Sequence, residues 1–467
     1  MLLPVICALW YSEFNVILSF IVPALISAAL GFVAIFFTKK YKSTEIGART
    51  GAIIVVACWI IVIFLGSIPF MMAESMTFTN AIFESTSGWT TTGFTIIDVT
   101  LTSKAILLWR SLTQFLGGIG VILVLQILIP SQQTTMLYQT EGHGERVLPN
   151  MKKTLRLIVG IYILYTFVGM ILYIIGGMSV FDAINHSMTA LATGGFSTRA
   201  GSIGEYNSLY IEIVTIFLML LGGINFAVHI LIFTGQIKKV SKIFELKVMT
   251  IVLIIFIPLL AFVGFSTVYA TAGERFKAGI FETVSTMTST GFLIRDSKSW
   301  SGFAMFLITF LMLMGANLGS TSGGIKQYRI GLAVKSFYWN IKTHIMNEKK
   351  VYQPYIYNSA DKVFITQEDI LKNNTFILVY LTAWFLGAGI MSMFGFSFDA
   401  ALFESASVLG NTGLTMGVTT AYNPLMLWIM SAGMLLGRLE FNIIFIAFGK
   451  IISDAVKNVR NIKRRAK

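Results

Sequence analysis

Four stretches of this 467-residue chain, AIFESTSGWTTTGF, AINHSMTALATGGF, GIFETVSTMTSTGF and ALFESASVLGNTGL, align without a gap when Gly93, Gly195, Gly291 and Gly413 are superposed. The aligned glycines lie 102, 96 and 122 residues apart, so the chain reads as four copies of one unit of about 100 residues. Each copy has the same grammar: a long apolar segment, the short polar stretch, a second long apolar segment, then a basic segment. Any fold for this chain has to place four similar polar, glycine-bearing stretches in equivalent surroundings.

Those surroundings are a membrane. The residues are 55% hydrophobic and 12% charged, with mean hydropathy +0.76, far from a soluble composition. A helix crosses the hydrocarbon core with about 20 apolar residues. Residues 14–37, 51–73, 105–129, 155–177, 210–234, 248–271, 375–394 and 425–452 have that length and character, and 303–337 does too but is interrupted by glycines. The alternating strands of a closed barrel are missing. The predicted fold class is an all-α polytopic membrane protein of four repeats, each a helix, a pore helix and a second helix, with pseudo-fourfold symmetry and additional helix before them. The expected boundaries are 1–46 for the N-terminal region, then 47–150, 151–244, 245–350 and 351–467, the last with a basic tail. Residues 1–10 are apolar but too short to span and lack the basic start and cleavage site of a signal peptide, so they read as the stub of a helix.

Charge sets the orientation. The segments 39–49, 131–156, 235–247, 326–372 and 450–467 carry 27 of the 35 basic residues and only 9 of the 22 acidic ones. Basic loops mark the cytoplasmic side, so all five are expected inside, and each unit crosses twice. The short polar stretch cannot cross alone. It has to be a re-entrant helix that enters from outside and stops, because non-helical backbone at membrane depth is tolerated only inside protein or beside water. The basic residues flank membrane helices and are not interleaved with stacking aromatics, which argues against nucleic acid. Contact with anionic membrane lipids accounts for them.

Chemistry by side chains is poorly supported. Cys7 and Cys58 sit in apolar segments, and His143, His229 and His344 are isolated, leaving no disulfide framework or metal-ligand spacing. The GGIG at 117–120 matches part of a dinucleotide loop, but no strand precedes it and no ribose acid follows; close helix packing explains it. No nucleophile, base and orienting group assemble, so an enzyme is not expected.

Chemistry by backbone is well supported. Four re-entrant loops around one axis would present the carbonyls of Thr90, Thr91, Thr92 and Gly93; of Ala192, Thr193, Gly194 and Gly195; of Thr288, Ser289, Thr290 and Gly291; and of Gly410, Asn411, Thr412 and Gly413. Rings of carbonyls replace the hydration shell of a monovalent cation. Glycine reaches the φ/ψ values that turn carbonyls inward and leaves no side chain in the path. Short helices ending there aim partial negative charge at the cation. Nine residues before each glycine stands Glu84, His186, Glu282 or Glu404. That distance, and the histidine, favour bracing the loop and satisfying backbone groups at the helix N-terminus over an ion ligand.

Two features read as unique to one copy, and so as control elements. GANLGSTSGGIK, residues 315–326, would break the third unit's second helix into a loop inside the membrane, through Gly315, Gly319, Ser320, Thr321, Ser322, Gly323 and Gly324, below the pore loops and across the pathway. Arg438, in MLLGRLEF, lies deep in the last span, where a charge is costly and faces a cavity or partner. Glu440 is two residues away, so it is no helical i,i+4 partner.

The four polar stretches, the GSTSGG loop and the GRLE arginine together resemble the membrane subunits of Trk-type potassium uptake systems (TrkH and TrkG), related to KtrB and the plant HKT transporters. The resemblance spans nearly the whole chain. It implies potassium uptake across the cell membrane by channel-like permeation, with K+ as the transported ion and no organic cofactor on this chain. It also implies a homodimer and a cytoplasmic TrkA-like ring of nucleotide-binding subunits that controls opening. By position, Gly93, Gly195, Gly291 and Gly413 match the filter glycines, residues 315–324 the gate loop, and Arg438 the pore arginine. A serine at the first glycine would match the Na+-permeable plant subgroup; glycine there implies K+ selectivity. Additional N-terminal helix favours TrkH and TrkG over KtrB. A secondary transporter of another solute, or a Na+-permeable or Na+- or H+-coupled cation transporter, stays open as the alternative; the four units share one orientation rather than the inverted one common in such transporters.

Overall fold

The structure is a computed structural model that describes residues 1–39, 48–120, 151–345, 353–358, 361–417 and 423–465. Most of the basic segments 39–49 and 131–156, His143, and the end of the expected span 105–129 lie outside the described residues. Among the described residues, six helices are long and apolar enough to cross a membrane, or seven if one bent pair is counted as a span.

Each unit is built as its hydropathy dictates. The first helices are Ala48–Ala73, Met151–Ile175, Phe244–Pro258 (continued in wider π-type turns through Leu259–Gly264) and Gln367–Met393. The re-entrant helices are Phe78–Trp89, Val180–Leu191, Ala272–Met287 and Phe398–Leu409. Second helices begin at Lys104, Leu209, Gly302 and Pro424. Capping residues define these starts. Thr77, Ser179 and Thr271 accept from the backbone N–H three residues on at the re-entrant helices, and Ser103, Ser208, Ser301 and Asn423 do so at the second helices. An uncapped N-terminus in lipid would leave its first N–H groups unpaired.

The units interlock in sequence order. The second helix of each unit packs on the re-entrant helix of the next, and the last, Pro424–Arg465, packs on the first, Phe78–Trp89. This cyclic packing makes four tandem units into one pseudo-fourfold body. At the N-terminus, Leu2–Trp10 and Ile17–Thr38 flank the first unit. The Glu13 carboxylate accepts from the N–H groups of Lys104 (2.8 Å) and Ala105 (3.0 Å), capping that unit's second helix.

Two spans depart from expectation. The segment 210–234 is not one helix: Leu209–Gly223 and Phe226–Phe233 meet at 103°. The last span, expected at 425–452, is broken at Glu440, whose φ of 58° is not helical. The described residues also hold one antiparallel hairpin, Tyr355–Asn358 with Asp361–Phe364. Hydropathy alone gives no sign of it. Ile356 and nearby Ile365 pack there on Phe244, Leu332 and Trp339.

Candidate functional site

All four re-entrant helices end in the same way. In the first, Thr91 N–H donates to Gly88 O and Thr92 N–H reaches back to Ser87 O. The same pair of bonds joins Thr193 to Ala190 and Gly194 to Thr189, Ser289 to Thr286 and Thr290 to Ser285, and Asn411 to Val408 and Thr412 to Ser407. This is a Schellman end, which requires a left-handed residue that is usually glycine. Here that residue is Thr91 (φ 55°), Thr193 (51°), Ser289 (53°) or Asn411 (51°). Backbone strain of about 1–2 kcal/mol per residue recurs four times at one level. The glycine stands two residues later, with φ of 93° at Gly93, 73° at Gly195, 76° at Gly291 and 74° at Gly413.

The glycines meet one another's neighbours in a closed circuit. A Cβ on Gly93 would strike Gly194 O, one on Gly195 would strike Thr290 O, one on Gly291 would strike Thr412 O, and one on Gly413 would strike Thr92 O. Each unit thus lays the carbonyl before its own glycine against the glycine of the preceding unit, and the fourth returns to the first. Four backbone carbonyls, four left-handed glycines and four helix C-termini converge on one axis. Among the described residues no group of three or more His, Cys, Asp or Glu stands together. The oxygens on offer at the ring are neutral carbonyls and hydroxyls, a donor set suited to a weakly hydrated monovalent cation rather than a hard divalent one.

The residues nine positions before each glycine brace the loop, as expected; only the backbone groups they satisfy differ from the expected ones. They hold the segment that leaves the ring rather than the helix N-terminus. Glu84 accepts from Thr95 Oγ1 (3.0 Å) and Ile96 N–H (3.1 Å), Glu282 from Ile294 N–H (3.2 Å), and Glu404 from Thr415 Oγ1 (2.7 Å) and Met416 N–H (2.7 Å). His186 bonds Ser197 Oγ at 2.9 Å through Nε2 and Asp182 O through Nδ1. A chain at membrane depth needs partners for its free N–H groups, and a residue one helix length back supplies them.

Arg110 and Gln114, one turn apart on the first unit's second helix, escaped sequence reasoning. Arg110 pairs with Glu84 at 2.9 Å, both side chains at most 1% exposed, and its guanidinium covers the Phe196 ring 4.0 Å from the centroid. Gln114 reaches the second unit's loop. An arginine and a glutamine inside an apolar span were the available signal.

Below the ring, every second helix ends, bends or breaks within its expected span, so the break in the third unit is not unique. Gly117, Gly315 and Gly437 lie 24 residues after their ring glycines and Gly222 lies 27 after its own. The first helix ends at Ile119 with Gly120 at φ 99°; the second bends at Gly223; the third opens at Gly315 (φ 66°); the fourth breaks at Glu440. In three units this glycine is packed against its own re-entrant helix's last carbonyl, at Trp89, Leu191 or Leu409. The GGIG motif therefore serves close packing, as expected, and also starts a break.

Among the described residues, the third unit's interruption is the longest. Residues between Gly302–Met314 and Gln327–Ile345 form a buried loop. It is tied upward to the pore loops: Gly323 N–H donates to Ser289 Oγ at 2.7 Å, and Thr321 Oγ1 bonds Thr193 Oγ1 at 2.8 Å. It is tied sideways through Thr321 N–H to Gly222 O (3.2 Å) and Leu318 N–H to Glu245 Oε1 (2.9 Å). Lys326 donates to Ser322 O within the loop. Arg438 donates to Thr321 O of the loop and to Gly117 O (2.6 Å) and Gly118 O (3.0 Å) of the first unit. It joins three units at the level of the breaks. Glu440 turns away and pairs with Arg329 at 2.7 Å, in keeping with the i,i+2 spacing.

Comparison with known proteins is consistent throughout. Residues 16–458 match the family model TrkH, described as cation transport protein. An uncharacterized cation transporter of Methanocaldococcus jannaschii is 32% identical over 472 residues, covering 99% of this chain and 94% of its own. The Trk system potassium uptake protein TrkH of Escherichia coli is 30% identical over 444 residues, covering 91% and 89%. The crystal structure of the potassium transporter TrkH from Vibrio parahaemolyticus superposes with a TM-score of 0.76 at 27% identity, covering 95% of this chain and 97% of that one.

Proposed function

The chain belongs to the TrkH family of cation transport proteins, a multi-pass protein of the cell membrane, and from that premise we propose that it takes up K+ through the carbonyl ring by channel-like permeation. The observation that carries this reading is the closed circuit of contacts from Gly93 through Gly194, Gly195, Thr290, Gly291, Thr412 and Gly413 back to Thr92. Such a ring exchanges the cation's water for backbone oxygen, and four glycines leave no side chain in the way. The resemblance to K+ uptake proteins points to K+ over Na+.

In this reading the intramembrane loop from Gly315 to Gly324 is the gate. It lies directly under the ring and closes the route, and its displacement opens it. Arg438 holds it shut through Thr321 O and places a positive charge beside the path, so cations do not leak or dwell. A cytoplasmic TrkA-like nucleotide-binding ring, acting on a homodimer, supplies the force that moves the loop; this part rests on family resemblance.

The test is transport. The protein restores growth of a potassium-uptake-deficient cell at low K+, and in liposomes it passes K+ and Rb+ well above Na+. Equal Na+ and K+ flux would defeat the selectivity claim.

A further inference from the structure

The ring is fourfold in its backbone but not in its side chains. The residue before the ring glycine is Thr92, Thr290 and Thr412 in the first, third and fourth units, and Gly194 in the second. Two of these threonines are tied within their own loop: Thr92 Oγ1 to Thr90 Oγ1 and Thr290 Oγ1 to Thr288 Oγ1, each at 2.7 Å. The second unit has no such hydroxyl.

In its place stands Gln114, from the unit before. Its Nε2 donates to Gly194 O at 2.5 Å and its Oε1 accepts from Phe196 N–H at 3.0 Å. Because the carbonyl only accepts and the N–H only donates, the orientation of the amide is fixed. The side chain is fully buried, and its amide fills the space where a Cβ on Gly194 would sit. Gly194 is not in the left-handed region, so its lack of a side chain answers to Gln114 and not to backbone conformation. On the other three second helices the residue three before the break glycine is Met219, Met312 or Met434. The chain therefore carries glutamine with glycine at one corner and methionine with threonine at the other three.

We propose that Gln114 and Gly194 form a matched pair that sets the cation selectivity of the ring, with Gln114 the positioning residue for the second unit's carbonyl. Gly194 O belongs to the circuit that touches the ring glycines, yet it alone accepts a side-chain amide among the bonds described. The amide pins that carbonyl and opposes its field at the cation, making one quadrant of the site firmer and weaker as a ligand than the rest. The inference rests on the K+ pathway proposed above.

The test is a cycle of three variants of the full-length protein in liposomes, read as the ratio of Rb+ to Na+ flux. Gln114→Met frees the carbonyl and lowers the ratio by about threefold to tenfold, the span one buried hydrogen bond corresponds to. Gly194→Thr drives a side chain into the Gln114 amide and impairs flux outright. The double variant Gln114→Met with Gly194→Thr recreates the pairing of the other corners and restores the ratio to within about twofold of the starting protein. Restoration in the double variant also supports the pair if either single variant fails to fold. An unchanged ratio in Gln114→Met, or a double variant no better than Gly194→Thr alone or unable to fold, overturns the proposal. An unmodified protein that does not distinguish Rb+ from Na+ overturns the proposed function instead.

Discussion

Two levels of the same four helix pairs obey different rules. At the ring, all four units repeat one backbone: a Schellman end on a non-glycine residue, then a left-handed glycine against the next unit's carbonyl. Some 24 residues further on, the four second helices again break together, but each does so differently, by an end at Gly120, a 103° bend, a long loop and a single non-helical glutamate. Where the units agree, a site common to all four is being built. Where they differ, the symmetry has been given up, and Arg438 and the loop occupy the space so created. A level that coordinates a spherical ion profits from symmetry; a level that opens and closes needs one part to move against the others.

The comparison is broken most sharply at the glycines. Alanine at any one of Gly93, Gly195, Gly291 or Gly413 places a Cβ against backbone at positive φ, at a strain of about 1–2 kcal/mol before the collision. Each is expected to lower K+ flux by more than about tenfold, to a similar extent in all four units. A single tolerated position would mean that the ring is not one site.

The braces sharpen the point. Glu84→Gln leaves Arg110 charged and buried without its carboxylate, at about 3 kcal/mol or more, read as a lowered midpoint of thermal unfolding. Glu404→Gln keeps an amide oxygen that accepts from Thr415 and Met416, so these bonds lose only their charge assistance and the change is expected to cost about 1 kcal/mol. Equal losses would contradict the separate role given to Arg110.

At the lower level the effects reverse in sign. Arg438→Ala releases Thr321, Gly117 and Gly118; charge-assisted bonds of about 1.5–3 kcal/mol each no longer hold the loop, and flux rises, most of all without a cytoplasmic partner. Deletion of 318–322 does the same in protein that still purifies as a folded assembly. Unchanged flux in Arg438→Ala would remove its barrier role. Ser289→Ala is the smallest change, since it frees the Gly323 N–H and otherwise removes only the hydroxyl's bond to the adjacent Thr288 O; about 1 kcal/mol appears as a severalfold rise in partner-free flux.

Much of this was legible in the chain. Four polar stretches in register, inside apolar surroundings, required re-entrant helices, because about 12 residues cannot cross a membrane and cannot lie in lipid unpaired. The aligned glycines likewise marked positions where a side chain would collide. Other features were hidden for physical reasons. The left-handed turns fall on Thr91, Thr193, Ser289 and Asn411, which have no glycine to announce them. Hydropathy treats the GGIN at 222–225 as more of the same span, although a glycine 24 or 27 residues beyond each ring glycine was the clue to a shared break. The hairpin at 355–364 lacks a membrane signature. Gln114 meets Gly194 across 80 residues of chain, a contact that no local pattern encodes.

The central claim, that backbone carbonyls from four units hold the transported ion, is tested most directly by locating that ion. Anomalous scattering from crystals grown in Rb+ is predicted to show a peak on the axis at the level of the carbonyls of Thr92, Gly194, Thr290 and Thr412. Transport-competent protein whose peak lay elsewhere, or that showed none at this level, would contradict the account.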